Sequence, residues 1–343
     1  MPTFTVFKGS KSGDIVEAQT TRSIKPGQVL VRITHSGLCG TDLHYKHADM
    51  ALGHEGAGVV EELGENIKTL KKGDRVGWGY EHDCCGACKQ CLRGAETFCP
   101  QRAMYGYADL DQASMGTHAV WNESFLYKIP DEIPNEDACV FQCGGATVFN
   151  ALQFHGARST DRVGIIGVGG LGHLAIQFAA KMGCDVVVFS GTDSKKEEAM
   201  KLGAKEFYAV KDVKKLSDVM DLKNPANLID HLIVCGSGQP DWSLYLPVMA
   251  PSGTLYPLSV DSDNDLKVPY MPILLSGLKI QGSLVAARQI HREMLEFAAK
   301  HHIKPIIQKF PMTKEGVEEC FKTLEDGKMR YRGVLVAGES SKL

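Results

Sequence analysis

Val163-Gly-Ile-Ile166, followed at once by Gly167-Val-Gly169-Gly170-Leu171-Gly172, is the stretch that decides the fold. A short apolar run, a glycine-rich turn and a helical pattern from Leu171 to Met182 read as strand, loop and helix. Glycine allows a tight turn and a close backbone approach. The N–H groups that open the next helix can then face a pyrophosphate. Gly167, Gly169, Gly170, Leu171 and Gly172 are therefore candidate cofactor-binding residues. A glycine-rich turn alone is common, and its place between strand and helix is what favours a dinucleotide over a purely structural turn.

Downstream, Asp185-Val-Val-Val-Phe189 repeats the strand signal and Lys195 to Leu202 the helix. Further strands are expected at Phe207 to Val210, Leu228 to Val234, Gly253 to Leu258 and Leu278 to Gly282. Strands alternating with helices predict a parallel sheet with crossovers. Upstream of about residue 160 the texture is β-rich, with Val29 to Thr34, Gly58 to Glu62 and Gly73 to Val76 as strand signals among scattered glycines. After the nucleotide-type segment comes a helix, His291 to His301. Gly333-Val-Leu-Val336 is then expected to rejoin the first domain. The organisation expected is a catalytic domain over 1–146, a nucleotide-binding domain over 147–284 and a return segment over 285–343.

The 343 residues, 43% of them hydrophobic, suffice for two such domains. A net charge of −3 without a basic run argues against a nucleic-acid partner. No signal-like or membrane-length apolar run occurs, so a cytoplasmic protein away from membranes is expected. Eleven cysteines in such a chain read as metal or catalytic chemistry rather than disulfides.

Cys85-x2-Cys88-x2-Cys91-x7-Cys99 packs four thiols closely enough to enclose one tetrahedral zinc. Cys84 is the nearest competitor, and the regular spacing favours Cys85. A second group begins with Cys39-Gly-Thr41-Asp42-Leu-His44 and Gly53-His54-Glu55. Cys39 and His54 are candidate ligands of an open zinc site, which needs three protein donors. Cys143 is the candidate third, and a buried structural cysteine is an equally good reading of that residue on sequence alone.

The cofactor's identity turns on the tip of the second strand of the nucleotide domain. An NAD-binding unit usually carries Asp or Glu there. Here the tip is Ser190, and Asp185 stands at the strand's other end. Gly191-Thr192-Asp193-Ser194-Lys195 follows. Ser190, Thr192 and Lys195 suit a 2′-phosphate, so NADP(H) is expected. Asp193 folding back onto the ribose would favour NAD instead.

Taken together these motifs resemble the zinc-dependent medium-chain alcohol dehydrogenases, and most nearly the cinnamyl alcohol dehydrogenase branch. Cys39-Gly-Thr-Asp-Leu-His44, Gly53-His-Glu55, the four-cysteine lobe, Gly144-Gly-Ala-Thr147 and the glycine loop occur in the family's order. The resemblance implies an α/β chain with a GroES-like β-rich catalytic domain, a Rossmann domain of doubly wound parallel sheet, and an active cleft between them. It implies two zinc ions per chain. Cys39, His54 and Cys143 become the catalytic ligands, Glu55 a carboxylate that can approach the metal, and Asp42 the partner that orients His54. It makes Thr41 and His44 the proton relay, sets Thr147 under the nicotinamide and brings Arg332 to the pyrophosphate. Similar hydroxyl-and-lysine segments hold the 2′-phosphate in the cinnamyl branch. A homodimer joined near Leu278 to Gly282 is implied as well.

The expected reaction is hydride transfer between NADP(H) and a primary alcohol or aldehyde, aromatic or aliphatic, a small-molecule substrate. A zinc-independent enone or quinone reductase of the same superfamily and a non-enzymatic zinc-stabilised nucleotide sensor are the alternatives. The loop Tyr45 to Leu52 is several residues shorter than in plant cinnamyl members, where it walls the substrate cleft. Trp78, Tyr80, Tyr105, Tyr107 and Trp121 fall where an apolar cleft could be lined, although core packing is the ordinary reading for each.

Overall fold

The computed structural model of the protein describes residues 1–261 and 264–338. Residues 339–343, the end of the expected return segment, lie outside the described residues. The chain forms two compact units, Met1–Ala146 together with the chain from Val285 onward, and Thr147–Leu284.

In the second unit, six parallel strands make one sheet: Arg162–Ile166, Asp185–Ser190, Glu206–Ala209, Ile229–Val234, Met249–Pro257 and Lys279–Ile280. Counted along the chain, their spatial order is third, second, first, fourth, fifth, sixth. This is the order of a doubly wound dinucleotide-binding sheet. All five residues of Arg162–Ile166 are buried, as a central parallel strand covered on both faces requires. Val187, Phe189, Leu232, Leu255 and Trp242 form the core on one side. The helix Gly172–Lys181 packs through Leu174, Ile176 and Phe178.

Two expectations in this unit are corrected. The edge strand expected over Leu278 to Gly282 shrinks to Lys279–Ile280, because a strand with one neighbour has fewer ladder bonds to extend it. The helix expected from Lys195 starts at Lys196, after a 3-10 turn over Asp193–Lys195. Asp193 and Ser194 favour such turns because their side chains compete for backbone groups.

The first unit is built on a mixed seven-stranded sheet. Its path runs Ile307–Pro311, Arg332–Val336, Gln28–Leu38, Gly56–Leu63, Arg75–Trp78, Tyr127–Lys128, with His118–Asn122 also pairing to Gln28–Leu38. Alternation along Gln28–Leu38 sends Val29, Val31 and Ile33 into a core with Val60, Val76, Trp78 and Trp121. The C-terminal strand pairs antiparallel with this same strand, Gly333 opposite Leu38 and Val334 opposite Gly37. The two registers that matter most are Gly333↔Leu38 and Ser36↔Gly56. They bring Arg332, Cys39 and Glu55 to one end of one sheet. The helix expected from His291 begins earlier, at Arg288. A hairpin of Thr3–Lys8 with Val16–Thr21 was not signalled by the sequence reading. The chain is an α/β protein with a GroES-like β-rich unit and a Rossmann unit.

Candidate metal centres and cofactor loop

Three separate segments of the first unit converge on one pocket. Cys39 follows the strand Gln28–Leu38 and caps the short helix Gly40–Tyr45. His54 lies in the loop that enters Gly56–Leu63. Cys143 sits in a π-helical turn, Phe141–Gly145, that interrupts a helix, a feature often found at functional sites. One donor atom each from Cys39, His54, Glu55 and Cys143 lies within 4.8 Å of the others.

The loop Gly53-His54-Glu55 is held from several sides. Gly53 has φ +98°, and a Cβ there would press on the Met115 backbone nitrogen at 2.8 Å, so only glycine fits. Ser114 N–H donates to the Gly53 carbonyl at 3.0 Å, and Glu55 N–H donates to Ser114 Oγ at 3.2 Å. Behind His54, Asp42 is fully buried. One of its oxygens accepts from His54 Nδ1 at 3.0 Å and the other from the Cys39 N–H at 2.9 Å. With Nδ1 so engaged, Nε2 is turned to the thiols. His54 Nε2 is buried and has no hydrogen-bond partner among the described residues. A buried polar atom without a partner is costly, so this nitrogen, two thiols and a nearby carboxylate fit a metal ion by donor type.

The electrostatics agree. The Cys143 thiol donates toward Cys39 and, against burial, holds Cys39 well below the usual thiol range, with His54 adding to the effect. Burial opposes charge on His54, yet Asp42 behind it and Cys39 in front raise it. Burial pushes Glu55 up to about 7 against the pull of Arg332. The resemblance implied that Arg332 reaches a pyrophosphate. Its guanidinium is buried and ion-paired with Glu55, and the register of Gly333 opposite Leu38 sets Arg332 at the same end of the sheet as Cys39. Thr41 is half-buried, its hydroxyl 3.7 Å from Cys39 Sγ, and His44 is exposed.

The second group has closed geometry. Cys85, Cys88, Cys91 and Cys99 present four sulfurs within 4.8 Å of one another. Three of the separations are 3.5, 3.6 and 3.9 Å. A tetrahedron with metal–sulfur bonds of about 2.3 Å has edges of about 3.8 Å, so the four thiols already have the right size. Cys84 lies outside this set and packs against the apolar core around Trp121. The lobe is tied down by Glu96, whose carboxylate accepts from both N–H and Nε of Arg288 at 2.8 Å.

In the second unit, Gly167 has φ +90° and Gly172 opens the helix. A Cβ on Gly169 would meet nothing within 4 Å, so the loop leaves room above its backbone. Ser190 ends its strand, and Asp185 starts it, paired with Lys205. Thr192 and Asp193 are exposed, and Lys195 Nζ donates to the Val168 carbonyl in the glycine loop at 2.6 Å. Thr147 is buried. Of the aromatics, Trp78, Tyr105 and Trp121 are core residues, Tyr80 is half-buried and Tyr107 is exposed. Sequence reasoning missed Gln142, which accepts from the buried His291 at 2.8 Å, and Glu81, a buried carboxyl with one oxygen unpartnered among the described residues. Neither has a motif that announces it.

A β-rich unit bearing two donor clusters and a glycine-loop sheet of this strand order define a metal-binding, nucleotide-dependent dehydrogenase class. Residues 25–131 match the model of the alcohol dehydrogenase GroES-like domain and residues 170–300 that of zinc-binding dehydrogenase. An alcohol dehydrogenase of Geobacillus stearothermophilus is 32% identical over 95% of this chain and 96% of its own. The NADP-dependent alcohol dehydrogenase C 1 of Mycolicibacterium smegmatis is 32% identical over 92% of each. A cinnamyl alcohol dehydrogenase of Sorghum bicolor superposes with a TM-score of 0.87 at 27% identity, covering 98% of both chains. The chain belongs to the zinc-type medium-chain alcohol dehydrogenases, and it is an oxidoreductase of small-molecule alcohols. No helix among the described residues is long and apolar enough to cross a membrane.

Burial, with the neighbouring Glu96 charge, pushes Glu81 up to about 8. Its unfolded value is about 4.3. The folded state therefore holds a proton that the unfolded state releases first, and stability falls as pH rises from about 4 through about 8. Denaturant titrations from pH 5 to 9 are expected to show this loss in the native protein and a flatter profile in Glu81→Gln. Parallel profiles would remove Glu81 as the titrating group.

Proposed function

We propose that the protein is an NADP(H)-dependent alcohol dehydrogenase that interconverts a primary alcohol and its aldehyde and holds two zinc ions per chain. The observation that carries the reading is the pocket of Cys39, His54 and Cys143, with a buried imidazole nitrogen that has no partner among the described residues. Three protein donors leave one position for substrate, whereas the four-cysteine lobe is complete and structural. Zinc in the open site supplies a Lewis acid for the substrate oxygen, and the nicotinamide accepts or returns the hydride.

The chain's own residues do the rest. Asp42 keeps the His54 Nδ1 proton and so fixes which nitrogen is a donor to metal. The Thr41 hydroxyl can accept and donate at once. Beside Cys39, it takes the proton of the alcohol, and the exposed His44 passes it to water. Glu55 stays next to the donors, and Arg332 offsets its charge. At the cofactor, the glycine loop cradles the pyrophosphate, and Ser190, Thr192 and Lys195 bind the 2′-phosphate. An uncharged strand tip at Ser190 and the Lys195 ammonium beside the glycine loop support NADP(H) over NAD(H). Asp193, exposed next to Thr192, is the residue that would favour NAD(H). By the same reading Thr147 lies under the nicotinamide, and the protein is cytoplasmic.

Elemental analysis is expected to find two zinc ions per chain, and one in Cys39→Ser with activity abolished. A value near one in both would remove the open metal site. For the cofactor, kcat/KM with a single aldehyde is expected to favour NADPH, and Ser190→Asp to erode that preference by charge repulsion at the phosphate. A native preference for NADH would sink the NADP assignment and point to Asp193. The protein is proposed to be a homodimer. Tyr270, Leu274, Leu275 and Ile280 are exposed apolar residues around the short edge strand Lys279–Ile280, and an unpaired strand edge invites pairing. Light scattering that returned a monomer mass at micromolar concentration would end this.

A further inference from the structure

Gln142 is a fully buried amide next to the candidate ligand Cys143, and none of the roles described so far uses it. The helix Asn135–Val140 runs straight into the π turn Phe141–Gly145 that carries both residues. Gln142 Nε2 donates to the Ala138 carbonyl, one turn back, at 2.8 Å. A carbonyl can only accept, so this bond settles which way the amide faces. Its other end, Oε1, accepts from His291 Nε2 at 2.8 Å. His291 therefore carries a proton on Nε2.

The sheet of the first unit fixes both members of this pair. Gly77 stands opposite Tyr127 in the ladder between Arg75–Trp78 and Tyr127–Lys128. A Cβ on Gly77 would overlap the Gln142 amide, and one on Gly79 would overlap the Gln142 carbonyl oxygen. The Tyr127 ring stacks on the His291 imidazole, with centroids 3.9 Å apart and planes 12° apart. His291 belongs to the helix Arg288–Lys300. One turn further on, the Met294 sulfur lies 3.2 Å from where a Cβ on Gly145 would stand. That helix backs the π turn at two points, beside Gln142 and beside Gly145. Two buried polar partners can be exchanged for apolar groups of the same shape at little cost in stability. What an apolar pair could not supply is a donor for the Ala138 carbonyl inside the distorted stretch. A side chain inserted among i→i−4 bonds is a cause of local helix irregularity.

We propose that Gln142 is a positioning residue of the open metal site, which locks the π turn between the Ala138 carbonyl and His291 and so fixes where the Cys143 sulfur points. This rests on the reading that Cys39, His54 and Cys143 hold a metal. Cys39 and His54 stand at the ends of strands, whereas the direction of Cys143 depends on how its turn winds. Successive side chains of an α-helix stand about 100° apart around the axis, and a π turn changes that spacing. If the turn rewound, the Cys143 side chain would swing about the axis. A bond from the preceding residue to a separate helix resists that rewinding.

The test uses the full-length metal-loaded protein, with cobalt(II) exchanged into the open site. Gln142→Met keeps the length of the side chain and removes both polar ends. Its thiolate-to-cobalt absorption is expected to shift. A chromogenic chelator is expected to take the open-site metal about tenfold faster than from the native protein, the scale of loss when outer partners of metal ligands are removed. Release from the four-cysteine lobe should not change. His291→Phe keeps a ring against Tyr127 and removes the donor, so it should move both readouts in the same direction. His291→Gln can still donate and should lie closer to the native protein. Val29→Ala opens a cavity at the far end of the strand that leads to Cys39. This control should lower Tm and leave the cobalt spectrum native. Native spectra and release rates in Gln142→Met would overturn the proposal, and so would an equal shift in Val29→Ala at the same loss of Tm. If Gln142→Met did not fold, the His291 variants would decide, and a native spectrum in His291→Phe would overturn the proposal. A native protein that holds metal only in the lobe would overturn the underlying site reading, an outcome visible before any variant is made.

Discussion

A buried imidazole nitrogen without a partner, as His54 Nε2 is among the described residues, costs free energy unless something binds it. Other buried polar side chains of the first unit are met by protein, Gln112 by Val120 and His291 by Gln142. At Cys39, His54 and Cys143 the protein instead directs donors at a common point and orients them from behind. Under the proposed function, the pocket is built to hold a positive charge. The Glu55–Arg332 pair bears on the same pocket, since the carboxylate disfavours negative charge on the neighbouring Cys143 and the guanidinium offsets it.

The sheet is what makes the pocket possible. Cys39 and His54 are 15 positions apart, yet the antiparallel register Ser36↔Gly56 ends their strands side by side. Gly333↔Leu38 adds Arg332 at the same end, from almost 300 residues further along the chain. Cys143 arrives differently, on a helix whose π turn changes the direction of the side chain relative to a regular helix. Each segment could be disturbed only at the expense of the sheet or helix that carries it, so rigidity in the site is inherited from regular structure rather than from the loop itself.

These relations explain which features could be read in advance. The lobe was legible because four cysteines lie within 15 consecutive residues, so spacing alone carries the geometry. The parallel sheet was legible because buried strands read as apolar runs and its strand–helix alternation is local. The pairing of Arg332 with Glu55 was not, because it depends on the register of strands remote in sequence, and register is set by tertiary packing. The strand Lys279–Ile280 fell short of its apolar run because an edge position is not written in the residues themselves.

The strand tip in the second unit raises a last question of charge. Lys195 places its ammonium on the Val168 carbonyl, between the end of Asp185–Ser190 and the glycine loop. Under the proposed function, a 2′-phosphate dianion arriving at Ser190 would add an anionic partner for that ammonium, which a ribose hydroxyl would not. Under the proposed function, selectivity then comes from a cation already held near the right place plus the absence of an acid at the tip, and the loop geometry that accommodates pyrophosphate serves both cofactors alike.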